Sequence, residues 1–235
     1  MSNSGIIKSS IVKKYWMALT GLFLCLFLVG HLVGNLQLLI DPANGAKDIF
    51  NDYAYFMTHN PLIKIMSYLT YFSILVHAID GIVLTIQNRK ARPIKYAYNK
   101  PSANSKWASR QMALLGSLIL AFIILHMNAF WAKMHWGDLE IYATAENPAV
   151  KDLYGLTMYA FNGPESLAHG IIYTIAMIVL GFHLSHGFQS AFQTLGLNHK
   201  KYTPIIKMKS TAFAIIVPLL FAIIPWFIKF EIFLF

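Results

Sequence analysis

Five long apolar runs separated by polar connectors set the pattern of this chain, at about residues 16–40, 62–87, 111–131, 167–195 and 211–227. A helix of roughly 20 apolar residues matches the hydrocarbon thickness of a bilayer. Such a segment has to be helical, because lipid offers no partner to backbone N–H and C=O groups. The pattern therefore predicts an all-α integral membrane protein with five transmembrane helices. The first run is too long for a signal-peptide core and has no small-residue cleavage site, so it is expected to stay as the first span.

The connectors carry weaker signals. Between the first two runs, Asp41-Pro42 and Asn60-Pro61 mark turns, and Ile49, Phe50, Tyr53 and Met57 recur at helical spacing, which predicts a short interfacial helix. The longest connector, 132–166, holds Asn147-Pro148, which reads as the cap and first-turn proline of a surface helix ending near Asn162, Gly163 and Pro164. No connector is long enough to bury a core of its own, so residues 1–235 read as a single membrane domain.

Composition agrees with this reading. Hydrophobic residues make up 57% of the chain and charged residues 12%, with a mean hydropathy of +0.52. The one cysteine, Cys25, lies inside the first run, so there is no disulfide framework, zinc knuckle or thiolate set for an iron–sulfur cluster.

The charges give an orientation. Of 19 basic residues, Lys8, Lys13 and Lys14 precede the first span, seven lie between the second and third, and four between the fourth and fifth. Every acidic residue except Asp80 lies in the other two connectors or near the C-terminus. The positive-inside rule then predicts a cytoplasmic N-terminus and an external C-terminus. The net charge of +9 marks a cytoplasmic face and no nucleic-acid site. The basic connector between the second and third spans would also suit docking of a soluble partner.

Four of the five runs carry a histidine near the middle: His31, His77, His126 and His183. An ionisable residue in hydrocarbon is costly and points to function, and a neutral imidazole is above all a ligand for a metal or haem iron. At about 1.5 Å of rise per residue, His31 and His126 fall in the outer half of their spans, and His77 and His183 in the inner half. Two depth-matched pairs on four helices are the arrangement of two stacked bis-histidine haems inside a four-helix bundle. A single intramembrane histidine could equally be a packing residue or a proton relay; four in two matched layers favour haem.

Glycines add to this. Gly81 and Gly187 each follow a histidine by one helical turn, in His77-Ala78-Ile79-Asp80-Gly81 and His183-Leu184-Ser185-His186-Gly187, where a porphyrin could lie against the backbone. Gly34 stands similarly after His31. Packing of membrane helices on small residues is the other explanation. His186 is an alternative to His183 as ligand; His183 is preferred because it matches His77 in the His-x-x-x-Gly pattern. Asp80 and His186 occupy equivalent positions, each three residues after a ligand, and are expected to interact with each other or with the edge of the inner haem.

These features together resemble the dihaem cytochrome b membrane anchors of succinate dehydrogenases and fumarate reductases, the single-chain, five-helix type. The resemblance runs from about Tyr15 to Phe227. It is carried by Gly30-His31-Leu32-Val33-Gly34-Asn35, by Val76-His77 through Gly81, by His126 sixteen residues after Arg110, and by Gly181-Phe182-His183 through Gly187. It implies that the four histidines are axial ligands, His31 with His126 and His77 with His183, which agrees with the depth argument. It also implies two b-type haems and a quinone, with menaquinone the expected species. A flavoprotein subunit with covalent FAD and an iron–sulfur subunit would dock at the cytoplasmic face of a prokaryotic inner membrane. No dicarboxylate site is expected in this chain itself. In the family, a carboxylate near the outer start of the second helix serves quinone chemistry. Here that region offers Asp52, His59 and Lys64 with no match for the acid, leaving His59 and Asp52 as the candidates.

Trp131, Trp136 and Trp226 read as an interfacial aromatic belt. Lys133 and His135 could reach a haem propionate or snorkel to water. Two other functions compete. A dihaem cytochrome b of a hydrogenase or formate dehydrogenase would dock its partners mostly on the outer face, opposite to the basic surface here. A metal or proton transporter should show broken helices or repeats around a midplane site.

Overall fold

The computed structural model describes residues 10–91 and 100–235; Lys8, Arg92 and Lys95 of the expected basic surfaces lie outside them. The chain is mostly helical, and five helices are long and apolar enough to cross a membrane. They are α1 (Ser10–Leu36), α3 (Pro61–Lys90), α4 (Met112–His126) with its helical continuation to Trp136, α6 (Ser166–Thr194) and α7 (Thr203–Lys229). Two shorter helices join them: α2 (Ala46–His59) and α5 (Leu153–Asn162). A two-stranded hairpin, β1 (Ile141–Tyr142) and β2 (Val150–Lys151), pairs Ile141 with Lys151 and Tyr142 with Val150.

The spans are longer than the apolar runs at several ends. Helix α1 begins at Ser10, and α7 at Thr203. Helical hydrogen bonding does not stop where hydrocarbon does, and the polar turns at each end continue the same backbone pattern. Lys207 and Lys209, which the apolar pattern leaves in the connector before residue 211, thus lie on α7. Gly196, at φ +78°, closes the segment after α6, a conformation that costs glycine no steric strain. Helix α7 runs unbroken past Pro218 and Pro225. Helix α4 continues beyond His126 through a wider, π-helical stretch, Met127–Ala132, and a last turn, Lys133–Trp136.

Local capping sets where several helices begin. The side chain of Asn60 accepts hydrogen bonds from the N–H groups of Leu62 (2.9 Å) and Ile63 (3.3 Å), and Pro61 opens α3. The short helix expected from Ile49, Phe50, Tyr53 and Met57 is present as α2. The cap expected at Asn147-Pro148 is displaced. Helix α5 starts only at Leu153, with the Asp152 carboxylate accepting from Gly155 N–H at 2.8 Å. Asn147 instead donates from its side chain to Asp52 Oδ1 (2.7 Å), an oxygen that also accepts from the Thr144 hydroxyl (2.6 Å). A local Asn-Pro signal has lost to a tertiary carboxylate and to the strand pairing that takes up Val150 and Lys151.

By compactness the described residues divide into two units, one of 10–27, 70–91, 100–120 and 179–216, the other of 28–69, 121–178 and 217–235. In the first, Ala18, Leu115, Leu184, Ala191 and Ala214 are buried, while Trp107 and Phe182 meet edge to face and Phe188 stacks on Phe213. In the second, Leu38, Leu39, Phe50, Val150, Tyr154 and Phe161 form the core. There Asn51, only 1% exposed, organises the loop side of α2. It donates to Asp152 Oδ1 (2.9 Å) and Tyr142 (2.8 Å) and accepts from Tyr154 N–H (2.8 Å). Lys47 pairs with the other carboxylate oxygen of Asp152 at 2.8 Å. Elsewhere the helices present apolar side chains outward, among them Leu26, Phe72, Leu75, Ile124, Leu125 and Ile178, as a bilayer requires.

Candidate functional site

The structure brings the four central histidines together in two pairs, each inside one unit. His31 of α1 and His126 at the end of α4 have ring centroids 5.8 Å apart and planes crossed at 79°. His77 of α3 and His183 of α6 have centroids 6.1 Å apart, crossed at 64°. Two imidazole nitrogens on opposite sides of one shared metal ion, each about 2 Å from it, would put the ring centroids about 6 Å apart. Both separations match that distance.

The hydrogen bond to His77 assigns the proton of its ring. His77 Nδ1 lies 3.2 Å from Thr20 Oγ1, and the Thr20 hydroxyl donates to the Trp16 carbonyl at 2.7 Å. Its proton is therefore committed, and toward His77 the oxygen accepts. That assigns the imidazole proton to Nδ1 and the lone pair to Nε2, the form that binds a metal ion. His126 Nδ1 lies 3.0 Å from the Tyr173 hydroxyl. His31 Nδ1 is 3.4 Å from the Asn35 side-chain amide, which also donates to the His31 carbonyl at 2.7 Å. His183 Nδ1 is buried and has no hydrogen-bond partner among the described residues.

Close approaches to the rings come from glycines that the sequence pattern did not single out. A Cβ at Gly21 would stand 3.1 Å from His77 Cε1, and one at Gly116 would stand 3.7 Å from His183 Cε1. Gly187 also faces His183, with a Cβ 4.0 Å from its Cδ2, whereas Gly81 faces the Met17 methyl at 3.6 Å. The face of Gly34, expected to serve a porphyrin, is filled by the Tyr53 ring, whose atoms would lie 2.7 to 3.0 Å from a Cβ there.

Aromatic side chains line the His31/His126 pair. Phe221 lies 5.5 Å from His31, and Phe122 and Phe130 lie 5.7 and 5.4 Å from His126. The π-helical stretch begins directly after His126, so Phe130 and Trp131 are turned relative to a regular helix.

The other expected residues sit as follows. No hydrogen bond or ion pair joins Asp80 and His186 among the described residues. Asp52 is engaged by Thr144 and Asn147. His59 stacks on Tyr55 at 3.8 Å, with Nδ1 2.8 Å from the Tyr55 carbonyl. His135 stacks on Trp131 at 4.4 Å, and its Nδ1 lies 2.8 Å from the Trp131 carbonyl. Trp226, expected at the interface, turns inward. Its indole N–H donates to Thr174 at 2.8 Å, and its ring covers Gly170.

Among the described residues no cluster of three or more His, Cys, Asp or Glu side chains converges as a metal site. The donor groups come in twos. A pair of neutral imidazoles is too few donors for a metal ion by itself and would need further ligands from outside the protein.

Thr20, Tyr173, Gly21 and Gly116 were not recognised from the sequence, although one signal exists for three of them. Gly21, Gly116 and Tyr173 each stand ten residues before a central histidine of their own helix: His31, His126 and His183. Each touches a histidine of the other pair: His77, His183 and His126 in turn. No family model, curated protein or solved structure matches this chain.

Proposed function

We propose that this chain is the cytochrome b membrane anchor of a succinate:quinone oxidoreductase, a succinate dehydrogenase or fumarate reductase. Two b haems would carry electrons between an iron–sulfur subunit and quinone in a prokaryotic inner membrane. The observation that carries the haem reading is the pair of imidazole separations, 5.8 and 6.1 Å, on four different helices. His31 with His126 and His77 with His183 would be the axial ligands. When bound, haem supplies one-electron transfer at a potential set by its ligands and surroundings.

The chain's own residues hold and tune. Thr20 keeps His77 in the Nδ1–H form, and Gly21 and Gly116 let neighbouring helices close on the ligand rings. The apolar helices keep water from the ring nitrogens, which maintains the neutral imidazoles that binding requires. The succinate or fumarate part of the reading rests on the motifs around His31, His77, His126 and His183. The basic residues at the cytoplasmic side support docking of the flavoprotein and iron–sulfur subunits there, with N-terminus inside and C-terminus outside.

Haem content per polypeptide, by pyridine haemochrome on the purified subunit, tests the reading. Two b haems are expected in the wild type and in His186→Ala, and one in each of His31→Ala, His77→Ala, His126→Ala and His183→Ala. Reduction of these haems in isolated membranes by succinate, and not by hydrogen or formate, is expected to identify the complex. A well-folded preparation without haem overturns the proposal.

A further inference from the structure

Tyr173 stands out among the groups touching the histidine pairs. Its hydroxyl is 3.0 Å from His126 Nδ1 and has no other hydrogen-bond partner among the described residues. Its ring is held edge-on by Phe122 at 4.9 Å, Phe161 at 5.0 Å and Phe130 at 6.5 Å. The phenol is thus fixed in place by packing, with one polar contact to make. Thr20 contacts His77 with an oxygen whose proton is already given away, and His183 has no such contact at all. The two pairs therefore differ in the groups behind their rings.

We propose that Tyr173 is the positioning residue of His126, and that its hydroxyl sets the reduction potential of the haem held by His31 and His126 apart from that of the other haem. The inference rests on the dihaem reading. For His126 to present Nε2 to iron, Nδ1 carries the proton and the phenol oxygen accepts it. Accepting that hydrogen bond draws the proton outward, makes the imidazole a stronger donor to iron and favours the oxidised state. Removing the hydroxyl while keeping the ring raises the potential of one haem only.

The test is a redox titration of both haems in the purified complex, followed optically and by low-spin EPR, for wild type, Tyr173→Phe and Thr20→Val. In Tyr173→Phe the reduction equilibrium of one haem is expected to shift three- to tenfold toward the reduced form, about 30 to 60 mV for a one-electron couple. Its EPR signal moves while the other haem stays as in wild type. Thr20→Val is expected to shift the other haem instead. Selective loss of one haem from Tyr173→Phe supports the same assignment. Both haems unchanged, or both altered alike, overturns it while leaving the dihaem reading intact. A wild type without haem removes that reading itself.

Discussion

A Cβ at Gly21 would stand 3.1 Å from Cε1 of His77, so a ring on α3 lies against the backbone of α1. Few real Cβ contacts are that short. A larger residue at position 21 has to push the imidazole away or force the helices apart, and either movement disturbs the 6.1 Å separation between His77 and His183. Gly116, where the corresponding distance is 3.7 Å, tolerates a methyl group but not a branched side chain.

If the chain binds two haems as proposed, Gly21→Leu is expected to lose one of them and Gly116→Ala to keep both. Haem content of the purified chain, with circular dichroism to check the helices, measures this. Two haems in Gly21→Leu would show that the close approach is incidental.

Asn51 ties α2 to β1 and to the start of α5 through three hydrogen bonds. Asn51→Ala leaves buried partners unsatisfied, at a cost on the order of 3 kcal/mol. The expected result is a lower thermal midpoint and faster proteolysis between 132 and 152, with haem content unchanged. A midpoint equal to wild type would mean that the network adds nothing.

Lys47 and Asp152 predict how that clamp responds to pH. Burial raises the Asp152 pKa, but hydrogen bonds from Lys47, Gly155 N–H and Asn51 outweigh it and hold the carboxyl below the usual range. The hydrogen bond to Asp152 holds Lys47 above its usual value against a smaller effect of burial. The lowered carboxyl stabilises the fold above its unfolded value of about 4 and loses that contribution as pH falls through the folded value. The raised amine stabilises the fold below about 10.4 and loses its contribution as pH rises through the folded value. Thermal stability of the wild type should thus carry this contribution from about pH 5 to 10 and lose it at both extremes. Lys47→Met should flatten the alkaline limb. An identical alkaline limb in the variant would rule the pair out as its origin.

Much of this protein was determined along the chain itself. The five apolar runs required five helices, because only a helix satisfies its own backbone in lipid, and α2 followed from the spacing of Ile49, Phe50, Tyr53 and Met57. The pairing of His31 with His126 and of His77 with His183 could be anticipated because position along a straight helix converts directly to depth. Contacts across helices depend on rotation about each axis, which depth does not supply. Only the tertiary structure decided that Tyr53 fills the face of Gly34, that Gly21 and Gly116 take the close approaches, and that Trp226 turns inward to Thr174. The same holds for the hydrogen bonds of Thr20 and Tyr173, each joining residues at least 47 positions apart. Local patterns say nothing about such partners, as the cap expected at Asn147 illustrates: its side chain was claimed by Asp52, 95 positions away.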